Sequence, residues 1–157
     1  MVCGLDVHRR IFASGVLEGC FGFGHLAVLH RRYYQRDDKM ITEAIKKIIE
    51  ENPIALATVD ENNKPNVIGV AYVKVVNNNQ VIITDNYMKQ TKENLNRNNN
   101  VCLAVWDKNW NGYKLIGTAE YFTSGKWKEF IEKIPENKGL SVKGAILVAI
   151  SQLIKLG

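Results

Sequence analysis

The chain predicts a small antiparallel β-barrel, mainly β, built from six strands with a few short helices. Three observations lead there. Six apolar or alternating runs have strand length, clusters rich in Asn, Asp and Gly punctuate them, and helical periodicity is confined to short stretches. The length of 157 residues, 46% of them hydrophobic and 24% charged, suits one domain with a proper core. The apolar and aromatic content argues against disorder. No apolar run reaches the roughly 18 residues that a membrane-spanning helix requires, so no membrane partner is expected.

The elements follow in order. Ile41, Ala44, Ile45, Ile48 and Ile49 repeat at helical spacing, with Lys46, Lys47 and Glu50 on the opposite face. Thr42 stands near the start, and Asn52-Pro53 ends the helix because a residue before proline avoids helical angles. Residues 54–59 form a short apolar strand, 60–64 a turn cluster, and 65–76 a second, longer strand. Asn77, Asn78 and Asn79 suit a tight hairpin, since asparagine tolerates positive φ. Residues 80–84 make the third strand, and a polar stretch with a short helix over 91–98 follows it. The fourth strand is 101–106. The fifth is 113–122, with Gly117 a bulge or close-approach point. Trp127, Phe130, Ile131 and Ile134 mark one face of a helix over 124–134. The last strand runs over 144–150, with apolar residues continuing to 156. Six strands with short turns point to a closed barrel, which leaves no raw sheet edge.

Residues 1–39 differ in composition. They hold five Arg, one Lys and all three histidines, whereas residues 40–157 hold fourteen Lys, one Arg and all sixteen asparagines. The expected domain is therefore 40–157, with 1–39 an extension of unclear role outside the fold. The competing reading is a leader, from Arg9 and Arg10 followed by the apolar run 11–17. Glu18 and the interleaved Gly15, Gly19, Gly22 and Gly24 weaken it. His8, His25 and His30 show no ligand spacing with Cys3 or Cys20, so no metal site is expected. Three widely spaced cysteines without a CxxC fit a reducing, cytoplasmic setting.

The segment Ile82-Ile83-Thr84-Asp85-Asn86-Tyr87-Met88-Lys89-Gln90-Thr91-Lys92 carries the chemistry. A strand ends, a polar loop follows and a helix begins near Thr91. Free backbone N–H groups at a helix start favour an anion, and Lys89, Gln90, Thr91 and Lys92 add charge and directional donors. Two readings stand: a phosphate-binding turn, or an ordinary surface helix with Thr91 as its N-cap. With no histidine after residue 30, a Ser-His-Asp or Cys-His site is impossible within the barrel, and Cys102 in an apolar strand reads as a buried thiol. No catalytic residue is therefore assigned. Such a protein binds something or takes its chemistry from a cofactor.

The strand IALATV, the segments KPNVIGVAYVKV and VIITDNYMKQTKENLNRNNNVCLAVWD, the strand GTAEYF, the helix KWKEFIEKI and the closing AILVAISQLIKLG resemble the pyridoxamine phosphate oxidase-like FMN-binding split barrels. The likeness covers residues 40–157 and none of 1–39. It implies a split barrel that binds FMN, with Lys89, Gln90 and Thr91 gripping the phosphate. Val67, Ile68 and Gly69 would lie along the isoalloxazine ring, and Thr84, Asp85 and Asn86 would flank the ring or ribityl chain. It further implies a homodimer and a flavoprotein that is an oxidoreductase or electron carrier for a small-molecule or protein redox partner. One departure stands out: relatives often carry Lys where this chain has Gln90. True pyridoxamine phosphate oxidases use a substrate-binding Arg and His pair, which is not seen here.

The alternative is a non-enzymatic binding module for nucleic acid or protein, with Tyr72, Tyr113, Tyr121 and Trp110 as stacking residues. Residues 40–157 carry a net charge of only +3, from fifteen basic and twelve acidic side chains, with the signs interspersed. That balance argues against nucleic acid. Colour separates the two readings, because an FMN protein purifies yellow.

Overall fold

The computed structural model describes residues 40–156. The expectations about the extension 1–39 and its boundary fall outside these residues. The order is helix α1 (Glu43–Glu51), strands β1 (Ile54–Val59), β2 (Pro65–Val70), β3 (Val73–Asn77) and β4 (Gln80–Asp85), helix α2 (Gln90–Leu95), strands β5 (Asn100–Trp106) and β6 (Gly112–Phe122), helix α3 (Lys126–Glu132), a 3-10 turn (Pro135–Asn137), and strand β7 (Gly144–Leu156). Every pairing is antiparallel, and the strands form one sheet in the order β2–β1–β5–β6–β7–β4–β3.

The fold is a split barrel with seven strands rather than six. The expected second strand, 65–76, breaks at Ala71 and Tyr72, both exposed. Val70 and Val73 are 6% and 2% exposed. Two inward residues three apart cannot share one regular strand, in which sides alternate. The chain therefore turns, and β2 pairs with β1 while β3 pairs with β4. No ladder joins β2 to β3 among the described residues, so the closed barrel expected from the turns is open along this seam.

Alternation explains most of the rest. β1 reads buried–intermediate over its whole length, and Leu56, Val81, Leu103, Leu115 and Val148 meet in the core with no exposed surface. β4 and the first part of β7, residues 144–148, are covered on both faces. Ile82, Ala145 and Leu147 point away from that core into a second cluster under α3, with Ile131, Trp127 and Phe122. Gly117 marks the expected bulge: the β6–β7 register shifts there, and a Cβ on it would run into the Ala149 carbonyl.

Several local devices fix the frame. Thr42 caps α1 by accepting from Ile45 N, and the helix stops at Asn52, whose backbone is extended before Pro53. The Asn77–Gln80 hairpin forms without positive φ. Asn77 instead accepts from Asn79 N, and the positive φ falls at Asn63 in the preceding turn. β3 lies at one end of the sheet, and its Val75 N–H donates to the Glu50 carboxylate of α1 at 2.9 Å.

Candidate functional site

A cleft of about 380 Å³ opens at the seam. The end of β2 and the break after it supply one wall, and the segment from Thr84 to Thr91 supplies the other. Of the nine residues singled out from the sequence, Ile68, Gly69, Thr84, Asn86, Lys89, Gln90 and Thr91 line this cleft. Val67 and Asp85 do not. Val67 is 62% exposed, consistent with its alternation against Ile68 along β2.

Asp85 has no exposed surface. One carboxylate oxygen accepts from Met88 N at 2.7 Å and the other from the Tyr121 hydroxyl at 2.7 Å. It therefore shapes the loop from behind. Burial, then the hydrogen bond to Asp85, holds the Tyr121 phenol well above its ordinary ionisation range. Tyr121 packs closely over Gly144, where a Cβ would meet its ring.

Helix α2 begins at Gln90, with Lys89 in the N-cap position and no side-chain cap. Of the two readings of this turn, the one with Thr91 as N-cap is corrected: Thr91 is the second residue of the helix, 1% exposed, and its hydroxyl oxygen accepts from the Asn66 amide at 3.2 Å. That bond belongs to a set of side-chain contacts, partly to fully buried, that joins α2 to β1 and β2. Asn66 and Asn94 both donate to Thr58, at 3.3 and 3.0 Å, and Gln90 donates to Asn94 at 2.8 Å. The first turn of α2 is thus tied to β2 through Thr91, while its N–H groups, which have no intrahelical acceptor, lack the usual side-chain cap. Lys89 stands exposed on the cleft. Lys92 does not line it; its ammonium lies 5.0 Å from the Tyr121 ring centroid, a cation–π distance.

Two further features look prepared for a ligand. Asn86 Oδ1 is buried without a donor, a costly state for an amide oxygen unless something fills it. Gly69 is exposed, with nothing within 4 Å of a Cβ built there. Its lack of a side chain leaves the β2 backbone open to whatever enters the cleft. The lining also contains Val70, Ala71, Tyr87 and Met88, which are not among the residues assigned to a cofactor from the sequence, and Tyr72, which enters there only as a stacking residue of the alternative reading. Tyr72 and Tyr87 are 46% and 78% exposed. Their exposure on a cleft wall follows from the β2–β3 break and the loop after β4, which periodicity alone does not reveal.

An all-antiparallel sheet open along one seam, with a cleft beside that seam, defines the class of small split β-barrels. Residues 41–154 match the family model described as pyridoxamine 5'-phosphate oxidase, and the chain belongs to that family. It is 27% identical over 135 residues to an uncharacterized protein of Methanocaldococcus jannaschii, covering 83% of this chain and 91% of that one. The structure of HupZ from Group A Streptococcus superposes with a TM-score of 0.70 at 26% identity, over 74% of this chain and 94% of that one. An FMN-binding protein of Syntrophomonas wolfei has the same fold, with a TM-score of 0.64 at 16% identity over 85% and 98% of the two chains. No helix among the described residues is long and apolar enough to cross a membrane.

Proposed function

We propose that this protein binds FMN in the seam cleft and acts as a flavin-dependent oxidoreductase or electron carrier. The observation that carries the reading is the uncapped start of α2, where Lys89, Gln90 and Thr91 line one part of the cleft. Charge, free N–H groups and a buried hydroxyl together suit a phosphate. The orphaned Asn86 oxygen suits a ligand N–H, and the bare backbone at Gly69 suits a flat ring laid against β2. When bound, the flavin supplies the hydride or electron step, and the protein supplies position and polarity. Family membership and the FMN-binding neighbour of the same fold support this reading. We do not propose pyridoxamine phosphate as substrate: residues 40–157 contain no His and one Arg, Arg97, which is engaged with Glu61.

We propose further that the protein is a homodimer in a reducing cytoplasm. The outer face of β2, β1, β5 and β6 presents Val67, Ala55, Ala57, Cys102, Ala104 and Ile116, which share one side of the sheet by register and are partly or fully exposed. A mostly apolar face, with Lys114 opposite Ala104 on it, that continues through Gly69 to the cleft wall suits a second copy. The stacking-platform reading loses two of its four aromatics, since Tyr113 and Tyr121 pack against the core.

Fluorescence titration of the full chain with FMN and with riboflavin tests the cofactor. FMN binds at low-micromolar affinity or better, and riboflavin at least about tenfold more weakly, because charge-assisted contacts contribute roughly 1.5–3 kcal/mol each. Equal affinities would remove the phosphate site from the proposal.

A further inference from the structure

Asn137 ends the 3-10 turn after α3 and is 3% exposed. Its Nδ2 lies 2.7 Å from the Ile131 carbonyl oxygen and 2.8 Å from Thr84 Oγ1. A backbone carbonyl only accepts, so the atom facing Ile131 must be the amide nitrogen. Both of its protons are then committed, one to Ile131 and one to Thr84. It follows that the Thr84 oxygen accepts in this pair and that its own proton points elsewhere. No acceptor for that proton is found among the described residues, and Thr84 lines the cleft. The other end of the amide, Asn137 Oδ1, is buried without a partner. A residue present only to fill space would avoid that cost. The turn is itself tethered: the neighbouring Glu136 pairs with Lys74 of β3 at 2.8 Å, and the Asn137 carbonyl accepts from Leu140 N.

We propose that Asn137 is a positioning residue that holds Thr84 as a hydrogen-bond donor to the ligand, so that this point of the cleft selects an acceptor atom and rejects an N–H. The inference rests on the FMN reading, under which the acceptor belongs to the flavin. It adds a residue 53 positions away from Thr84 in the chain, in a segment that does not line the cleft.

The test is FMN titration of the wild type, Thr84→Val, Thr84→Ser, Asn137→Ala and the Thr84→Val/Asn137→Ala double variant, with apo-protein melting in parallel. Thr84→Val weakens FMN by about tenfold, the effect of one buried hydrogen bond, whereas Thr84→Ser stays near wild type. Asn137→Ala weakens FMN in the wild-type background and adds nothing in the Thr84→Val background, because the proton it orients is already gone. The absorption spectrum of bound FMN shifts in the same sense for Thr84→Val and Asn137→Ala. Should Asn137→Ala not fold, proton exchange of the Asn137 side-chain amide in the wild type takes its place: it is slow, and Thr84→Val speeds it. Equal losses from Asn137→Ala in both backgrounds, an unaffected Thr84→Val, or a fast-exchanging Asn137 amide overturns the inference and leaves FMN binding standing. A wild type that does not bind FMN overturns the cofactor reading, and this inference with it.

Discussion

The half-buried Tyr121 phenol, hydrogen-bonded to the buried Asp85 carboxylate, ties stability to pH. The phenol is raised above its ordinary value of 10.0 by burial and by Asp85, so the folded state keeps the proton longer than the unfolded chain does. The resulting stabilisation is fully present below pH 10.0 and is lost as pH rises beyond it, when the unfolded tyrosine ionises first. Tyr121→Phe leaves an Asp85 oxygen buried without its donor, and urea unfolding at neutral pH shows a loss of roughly 1.5–3 kcal/mol. The same variant shows a shallower alkaline decline than the wild type; an identical decline would show that Tyr121 is not the group responsible. In the α2 turn, Lys89→Ala weakens FMN by about tenfold with apo melting unchanged. Lys92→Ala does less, since Lys92 is engaged with the Tyr121 ring. The reverse order in titration would make Lys92 the phosphate ligand. Much of this site is legible in the sequence, because a strand end, a polar loop and a helix start follow one another without a break. What is not legible depends on distant partners: Tyr121 for Asp85, 36 residues on, and Asn66 for Thr91, 25 residues back.

At the scale of elements, periodicity locates β1, β5 and β6, since one face of each meets the core and the other does not, whereas β4 is marked by an unbroken apolar run buried on both faces. Periodicity fails at Ala71 and Tyr72, where composition stays strand-like but the phase slips. The inward pair Val70 and Val73 carries that slip, visible only once the inward side of each run is fixed. The α2 start is shifted for a similar reason. Thr91 has the chemistry of an N-cap, but its hydroxyl is engaged with β2, so the helix begins at Gln90 with lysine in the cap position. Helix α3 is shorter than its amphipathic pattern, because Gly125 at φ 79° precedes it and the chain tightens into the 3-10 turn at Pro135. Gly117 shows how far backbone proximity dictates a residue. At this bulge Gly117→Ala forces β6 away from β7 and costs about 1–3 kcal/mol in urea unfolding. A change below a few tenths would show that the strands yield easily there.

For the whole molecule, light scattering at tens of micromolar gives the mass of two chains, and Ala57→Lys, placed on the outer face of β1, gives the mass of one. A monomeric wild type would leave that apolar sheet face without its proposed partner. The contact between Glu50 and Val75 has a consequence for solubility. β3 ends the sheet, and a row of free backbone groups there offers a template on which another chain can polymerise. The carboxylate from α1 occupies one of those groups, and the helix behind it obstructs an incoming strand. Glu50→Ala exposes that N–H while leaving the core intact. The variant therefore forms thioflavin-positive aggregates sooner than the wild type during gentle heating below the melting transition. Equal lag times would mean that α1 shields β3 by bulk alone. Helix α1, which supplies no residue to the seam cleft, thus guards the fold against the self-templated growth that an open barrel seam invites.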